Sequence, residues 1–243
     1  MEKYTIVCMK WGKKYGCEYV NRLYNMSARN CTLNFKFICY TDDAGGILPQ
    51  VEIRDLPVIN IPNDNERGWR KLCLFGKDEN LEGRVLFLDL DTVIVGNIDE
   101  YFTVEGDTIL VEHWRPSVKQ GKGLTSIYRF NAKLHHDILQ NFLDNMEEIR
   151  ANFRHEQAYV CSMLEKQGTL KFWKREWMPS FKHTCMKKFP LNYFFEPTVP
   201  AGAKMVVFHG VPTPDQALTN DIKGLKGIIR YVKTPKWLID NWS

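Results

Sequence analysis

Asp89 and Asp91 stand two residues apart at the end of the apolar run RVLFLDLDTVIV, with Leu90 between them. On an extended strand, side chains two apart point the same way. The pattern therefore predicts two carboxylates on one side while Leu90 turns into packing. Two carboxylates this close repel, and each is harder to ionise unless a cation neutralises it. A hard divalent ion, Mn²⁺ or Mg²⁺, suits such oxygen ligands and can also hold phosphate oxygens. Composition alone competes with this reading. With 29 acidic residues in 243, roughly three acid-x-acid spacings arise by chance. Asp64 and Glu66 make another, in a polar loop where the spacing means little. A purely structural role, with Asp89 capping one turn and Asp91 beginning another, is the bland alternative.

The flanking elements decide between these readings. Strand patterns at 5–9 (TIVCM), 35–40 (FKFICY), 51–56 (VEIRDL) and 84–88 (RVLFL) alternate with helical patterns. One helix is predicted from Glu18 to Arg29, where Val20, Leu23, Tyr24 and Ser27 share a face, and a short one over 69–75. Such alternation predicts a largely parallel sheet with helices on both faces, which binds ligands at the carboxyl ends of its strands. Three strand ends carry polar groups: Lys10-Trp11, Thr41-Asp42-Asp43 and Asp89-Leu90-Asp91. Further on, 107–112 and 124–130 read as strands. Leu134, Ile138, Leu139, Phe142, Leu143, Met146 and Ile149 form the apolar stripe of one long helix. A helix over 155–164, a loop-rich 171–200 and a last strand at 203–208 ending in His209-Gly210 complete the chain.

Composition bounds the rest. Hydrophobic residues are 44% and charged residues 26%, which suits one globular domain over 1–243. The apolar runs are strand-sized, so no membrane span is expected, and a strand pattern close to the N-terminus argues against a signal peptide. The seven cysteines are odd in number, scattered and without a CxxC pair. They point to a reducing, cytoplasmic location rather than to zinc or disulfides, and Asn25-Met-Ser, Asn30-Cys-Thr and Asn241-Trp-Ser read as chance glycosylation patterns. A formal charge of +4 is mild. It suits anionic substrates or an acidic membrane surface, which the tail YVKTPKWLIDNW could touch, but no basic cluster is dense enough for nucleic acid.

The stretch VLFLDLDTVIVGNID resembles the DxD block of GT-A-fold glycosyltransferases. It is most similar to the family 8 group, glycogenin and bacterial galactosyltransferases, and to small related bacterial and viral enzymes. The turn Asn97-Ile98-Asp99-Glu100-Tyr101-Phe102 is similar to the one following that block. TIVCMKWGKKYG and FICYTDD resemble the family's first two nucleotide-binding strands. GWRKLCLF resembles the helix that supplies a basic residue to the donor, with Lys71 nearest that position and Arg70 beside it. LTSIYRFN resembles the N-S-G-V-M block, but Thr125-Ser126-Ile127-Tyr128 lacks its glycine. HEQAYV resembles the D-Q-D block, keeping Glu156-Gln157 and replacing the last acid by Ala158. VVFHGVPTP resembles the H-x-x-G-x-x-K-P-W region without its lysine and tryptophan.

The resemblance covers nearly the whole chain and implies an α/β GT-A (Rossmann-like) fold: a mixed, mostly parallel sheet flanked by helices in a single domain. Residues 1–105 would form the nucleotide-sugar-binding half and 106–243 the acceptor-side half. It implies a nucleotide-diphospho-sugar donor, uridine-linked, and a carbohydrate or lipid-linked glycan acceptor. Asp89, Asp91 and His209 would be the metal ligands. Lys10, Trp11, Asp42, Asp43, Arg70, Lys71, Leu90 and Ser126, with the two aspartates, would contact the donor. Glu156 and Gln157, with Asp89, would be catalytic, Glu156 as a base or by orienting the donor sugar. Each has a bland counterpart: a hydrogen-bonded structural histidine, a solvated helix lysine, turn aspartates, an exposed helix glutamate. Trp114 and Arg115 are candidates for the acceptor cleft, with a core tryptophan as the alternative.

FLDLDTV also fits the D-x-D-x-[TV] motif of haloacid-dehalogenase-type phosphatases, in which the first aspartate attacks phosphorus. That fold usually places the motif on an early strand with an acidic pair downstream. Here it follows three strands, Asp42-Asp43 lie upstream, and Gly106-Asp107 has no following acid. A third reading is a nucleotide- or carbohydrate-binding protein without turnover.

Overall fold

The computed structural model describes residues 2–61, 68–77, 80–114 and 123–243. Asp64, Glu66 and Arg115 lie outside the described residues. The chain runs β1 (Tyr4–Lys10), α1 (Cys17–Asn30), β2 (Phe35–Thr41), β3 (Glu52–Asp55), a 3₁₀ turn (Trp69–Phe75), β4 (Arg84–Leu88) and β5 (Thr92–Ile94). Then come α2 (Glu100–Thr103), β6 (Thr108–Glu112), β7 (Gly123–Asn131), α3 (His136–Asp144), α4 (Met146–Asn152), α5 (Glu156–Lys166) and β8 (Leu170–Phe172). The chain closes with β9 (Met205–Val207), α6 (Pro214–Thr219), α7 (Leu225–Ile229) and α8 (Lys236–Asn241).

Seven strands form one sheet in the order β3-β2-β1-β4-β7-β6-β8, and β5 pairs with β9 in a separate ribbon. β3, β2, β1 and β4 are mutually parallel. β7 runs antiparallel to both β4 and β6, and β8 is parallel to β6. The central strands are apolar on both faces because both faces are covered. Along β4, Leu86 and Leu88 join the core shared with α1 and the β5–β9 ribbon. Val85 and Phe87 join the core under the 3₁₀ turn, α3 and α5. Arg129 on β7 is fully buried and donates to the carbonyls of Val104 at 2.7 Å and Phe102 at 3.2 Å, and to that of Gly106, tying α2 and its exit to the sheet.

Two expected elements differ. The single long helix is broken at Asn145, whose φ of −130° leaves the helical region. The Asn145 side-chain amide donates to the Asn141 carbonyl at 3.2 Å, offering that group a partner outside the regular ladder. Ile138, Phe142 and Ile149 are buried, whereas Leu134 and Leu143 are exposed, so the stripe is not one core contact. The loop-rich 171–200 contains the end of β8, short 3₁₀ turns and a π-helical turn, Phe181–Cys185. In the tail, Leu238 and Trp242 are buried and Trp242 Nε1 donates to Asp215 at 2.8 Å, so neither faces outward to a lipid surface.

Candidate active site

Asp89 and Asp91 lie between two strands rather than on one. β4 ends at Leu88 and β5 begins at Thr92; between them the Thr92 amide donates to the Asp89 carbonyl at 3.1 Å, closing a tight turn. Leu90 is buried in the core, as its alternation with the aspartates implied. The Asp89 amide donates to Ser126 O at 2.8 Å, so the turn is tied to β7.

Each carboxylate has its own partner. Lys71 Nζ lies 2.7 Å from Asp89 Oδ1, donates to the Thr125 carbonyl at 3.2 Å, and stands 4.0 Å from Glu156 Oε1. Burial opposes the Lys71 charge, but the Asp89 and Glu156 carboxylates outweigh it and hold the ammonium above its ordinary range. Tyr15 donates to Asp91 Oδ2 at 2.7 Å. Burial, and then the charge of Asp89, push the Asp91 carboxyl up to about 6, against the Tyr15 hydrogen bond and the charges of Lys14 and Lys71. The Tyr15 hydroxyl is itself raised by burial and by Asp91.

Glu156 opens α5 and is buried rather than exposed. Thr125 Oγ1 donates to its Oε1 at 2.7 Å. Gly68, at a φ of +88°, lies against it: a Cβ there would meet the Glu156 carboxyl at 2.8 Å. The site needs glycine at this position for both backbone conformation and space.

These groups line two cavities. The first, 410 Å³, is walled by Trp11, Lys14, Tyr15, Gly68, Lys71, Asp89, Leu90, Asp91, Glu156 and Gln157 among others. The second, 300 Å³, shares Lys71, Asp89 and Gln157 and adds His113, Trp114, Ser126, His183 and His209. The first lies at the carboxyl ends of β1 and β4, the second at those of β4 and β6 and the start of β7, where an α/β sheet offers its crevice. Ser126 Oγ is buried without a hydrogen-bond partner among the described residues, leaving one polar group open to a ligand.

His209 follows β9, and the Phe208 amide donates to the Asp91 carbonyl at 3.3 Å. Its Nε2 lies 2.6 Å from Ser180 Oγ, and its ring stacks on Trp114 at 4.9 Å and against His183 at 5.3 Å. Among the described residues no three His, Cys, Asp or Glu side chains converge as a metal cluster. The carboxylate pair nonetheless fits a hard cation: two oxygen donors share a cavity, and the Asp91 carboxyl is raised first by burial and then by the charge of Asp89, a repulsion that a divalent ion would relieve. Trp114 also donates its indole N–H to Met178 O at 2.7 Å, anchoring the wall of the second cavity.

Four sequence candidates are occupied elsewhere. Lys10 is buried, with Nζ 3.0 Å from the Asp43 carbonyl and 3.7 Å from its carboxylate. Asp42 accepts from the Gly12 amide of the loop after β1 at 3.0 Å, and Asp43 accepts from the Gly45 amide at 2.9 Å, as a turn residue does. Arg70 donates to Pro57 O at 2.6 Å. None of the four lines either cavity, whereas Trp11, Lys71, Leu90 and Ser126 do. Sequence reasoning passed over Lys14, Tyr15, Gly68 and Ser180. Only Tyr15 carried a local signal, as an aromatic residue in the loop after the first strand.

The mixed, mostly parallel seven-stranded sheet flanked by helices is a fold of the GT-A type. Solved glycosyltransferase structures superpose on it. The apo form of GlyE from Streptococcus pneumoniae TIGR4 gives a TM-score of 0.59 at 13% identity, over 87% of this chain and 56% of that one. A second GlyE structure gives 0.60 at 12% identity with the same coverage. The galactosyltransferase LgtC, in complex with donor and acceptor sugar analogs, gives 0.61 at 12% identity, over 86% of this chain and 88% of that one. The chain thus spans little more than half the length of GlyE. No family model and no curated protein sequence matches the chain.

Proposed function

We propose that this chain is a glycosyltransferase that moves a sugar from a nucleotide-diphospho-sugar, uridine-linked, to a hydroxyl of a carbohydrate or lipid-linked glycan. One observation carries the reading: Lys71, Asp89, Asp91 and Glu156, drawn from three separate segments, meet on one cavity at the carboxyl end of the sheet. The likeness of fold to solved glycosyltransferases supports it over the phosphatase reading.

In this reading Asp89 and Asp91 would hold Mn²⁺ or Mg²⁺, with His209 as the third ligand. When bound, the ion supplies charge stabilisation for the departing nucleoside diphosphate. Lys71 keeps its charge through its carboxylate neighbours and adds a fixed positive group beside the diphosphate. Glu156, held by Thr125, and Gln157 beside it orient the donor sugar or take the proton of the acceptor hydroxyl. The second cavity, with Trp114 and the open Ser126 hydroxyl, suits the acceptor, because aromatic faces pack on sugar rings.

The test is a thermal-shift screen of nucleoside diphosphates and nucleotide-sugars with and without Mn²⁺, followed by donor hydrolysis and transfer by the Asp91→Ala variant. A metal-dependent shift with one nucleotide, and loss of turnover in a folded Asp91→Ala protein, is the expected result. Unchanged turnover in that variant would remove the centre of the proposal.

A further inference from the structure

Away from both cavities, two segments of the C-terminal third place large apolar side chains in solvent. Phe189, Leu191, Phe194 and Phe195 project from the turn following the π-helical segment, with Phe194 70% exposed. α7 buries none of its residues; Leu225, Ile228 and Ile229 are all exposed, Leu225 at 76%. The segments adjoin. Asn192 Nδ2 donates to Ile229 O at 3.2 Å and Tyr231 O at 2.8 Å, Tyr193 OH donates to Ile228 O at 3.0 Å, and the Tyr193 and Tyr231 rings stack at 4.5 Å. Together they make one apolar face that folding does not cover, which in a water-soluble surface marks an interaction site.

The charge around it says what covers it. Residues 186–196 and 221–236 hold seven lysines and arginines against two acids, Glu196 and Asp221. The rest of the chain holds 26 basic and 27 acidic residues, so the whole positive excess of the protein falls in the two stretches that carry this face. Lys187, Lys188, Lys223, Lys226 and Lys233 are exposed, and none forms an ion pair among the described residues. Protruding aromatic and aliphatic tips ringed by unpaired ammonium groups match the interface of an anionic bilayer. The tips enter the headgroup boundary and the lysines meet lipid phosphates.

We infer that the face built from the 189–195 turn and α7 docks the protein on an anionic lipid surface. It stands independently of the transferase reading, because lipid binding is read without turnover. Combined with that reading, it suits a lipid-anchored acceptor.

Cosedimentation of the full chain with vesicles tests it. Phosphatidylcholine vesicles containing about 30% phosphatidylglycerol should bind about tenfold more protein than phosphatidylcholine alone, and added salt should reduce the binding. Phe194→Ser with Phe195→Ser, and separately Leu225→Ser with Ile228→Ser, should each lower binding about tenfold with the melting temperature unchanged. Lys187→Glu with Lys188→Glu and Lys226→Glu should erase the preference for anionic vesicles. Equal binding to both vesicle types, binding untouched by these variants, or no vesicle binding with the serine variants instead dissociating a dimer would overturn the inference.

Discussion

Lys71 Nζ and Asp89 Oδ1 sit 2.7 Å apart, with the lysine side chain 11% and the aspartate side chain 30% exposed. The ammonium comes from a 3₁₀ turn on one face of the sheet, and the carboxylate from the turn joining β4 to β5. Replacing Lys71 by Met removes the only cation paired with Asp89 among the described residues and leaves a half-buried carboxylate uncompensated. Because Asp89 still reaches solvent, the cost should be about 1–2 kcal/mol rather than that of a fully buried pair. Urea unfolding measures it, and donor turnover should fall by about a hundredfold in the same variant.

The Asp91 carboxyl makes stability depend on pH. Its folded value of about 6 lies above the ordinary 3.8, through burial and the charge of Asp89. Between those values the folded protein holds the proton while the unfolded chain has lost it, so stability falls as pH rises from about 4 to 6. Asp91→Asn lacks this penalty. Without metal it should be more stable than the parent at pH 7, on the order of 3 kcal/mol, with the advantage gone by pH 4. Mn²⁺ should raise the melting temperature of the parent at pH 7, less at pH 5, and leave Asp91→Asn nearly unmoved. A variant equal to the parent at every pH would contradict the assigned environment.

Gly68 separates backbone strain from site geometry. Gly68→Ala meets both a φ of +88° and the Glu156 carboxyl at 2.8 Å; Gly168→Ala meets a φ of +69° and nothing within 4 Å. Both should lose about 1 kcal/mol. Only Gly68→Ala should also displace Glu156, so transfer should fall about tenfold or more in that variant alone.

Arg129 provides a scaffold control. Its guanidinium serves the carbonyls of Tyr101, Phe102, Val104 and Gly106. Arg129→Met strands several of these buried acceptors and should cost about 3 kcal/mol, seen as a lower denaturation midpoint. At temperatures where the variant stays folded, the Mn²⁺-induced shift should persist, since Arg129 touches neither cavity.

The sequence by itself determined the alternation of β1, α1, β2, β3 and β4, because buried strands and amphipathic helices write their periods into neighbouring residues. It also determined that a carboxylate pair closes a buried strand, and that Lys71 and Glu156 belong to segments similar to donor-binding blocks. Only the tertiary structure decided the partners. Tyr15 reaches Asp91 across 76 positions and Thr125 reaches Glu156 across 31, contacts made by strand order rather than by local pattern. The same folding directed Lys10, Asp42, Asp43 and Arg70 to loop carbonyls and amides, and set His209 against Ser180. Residue type and spacing state which chemistry a side chain can perform. Which neighbours it meets depends on distances closed by the whole sheet, and those are absent from any local stretch of sequence.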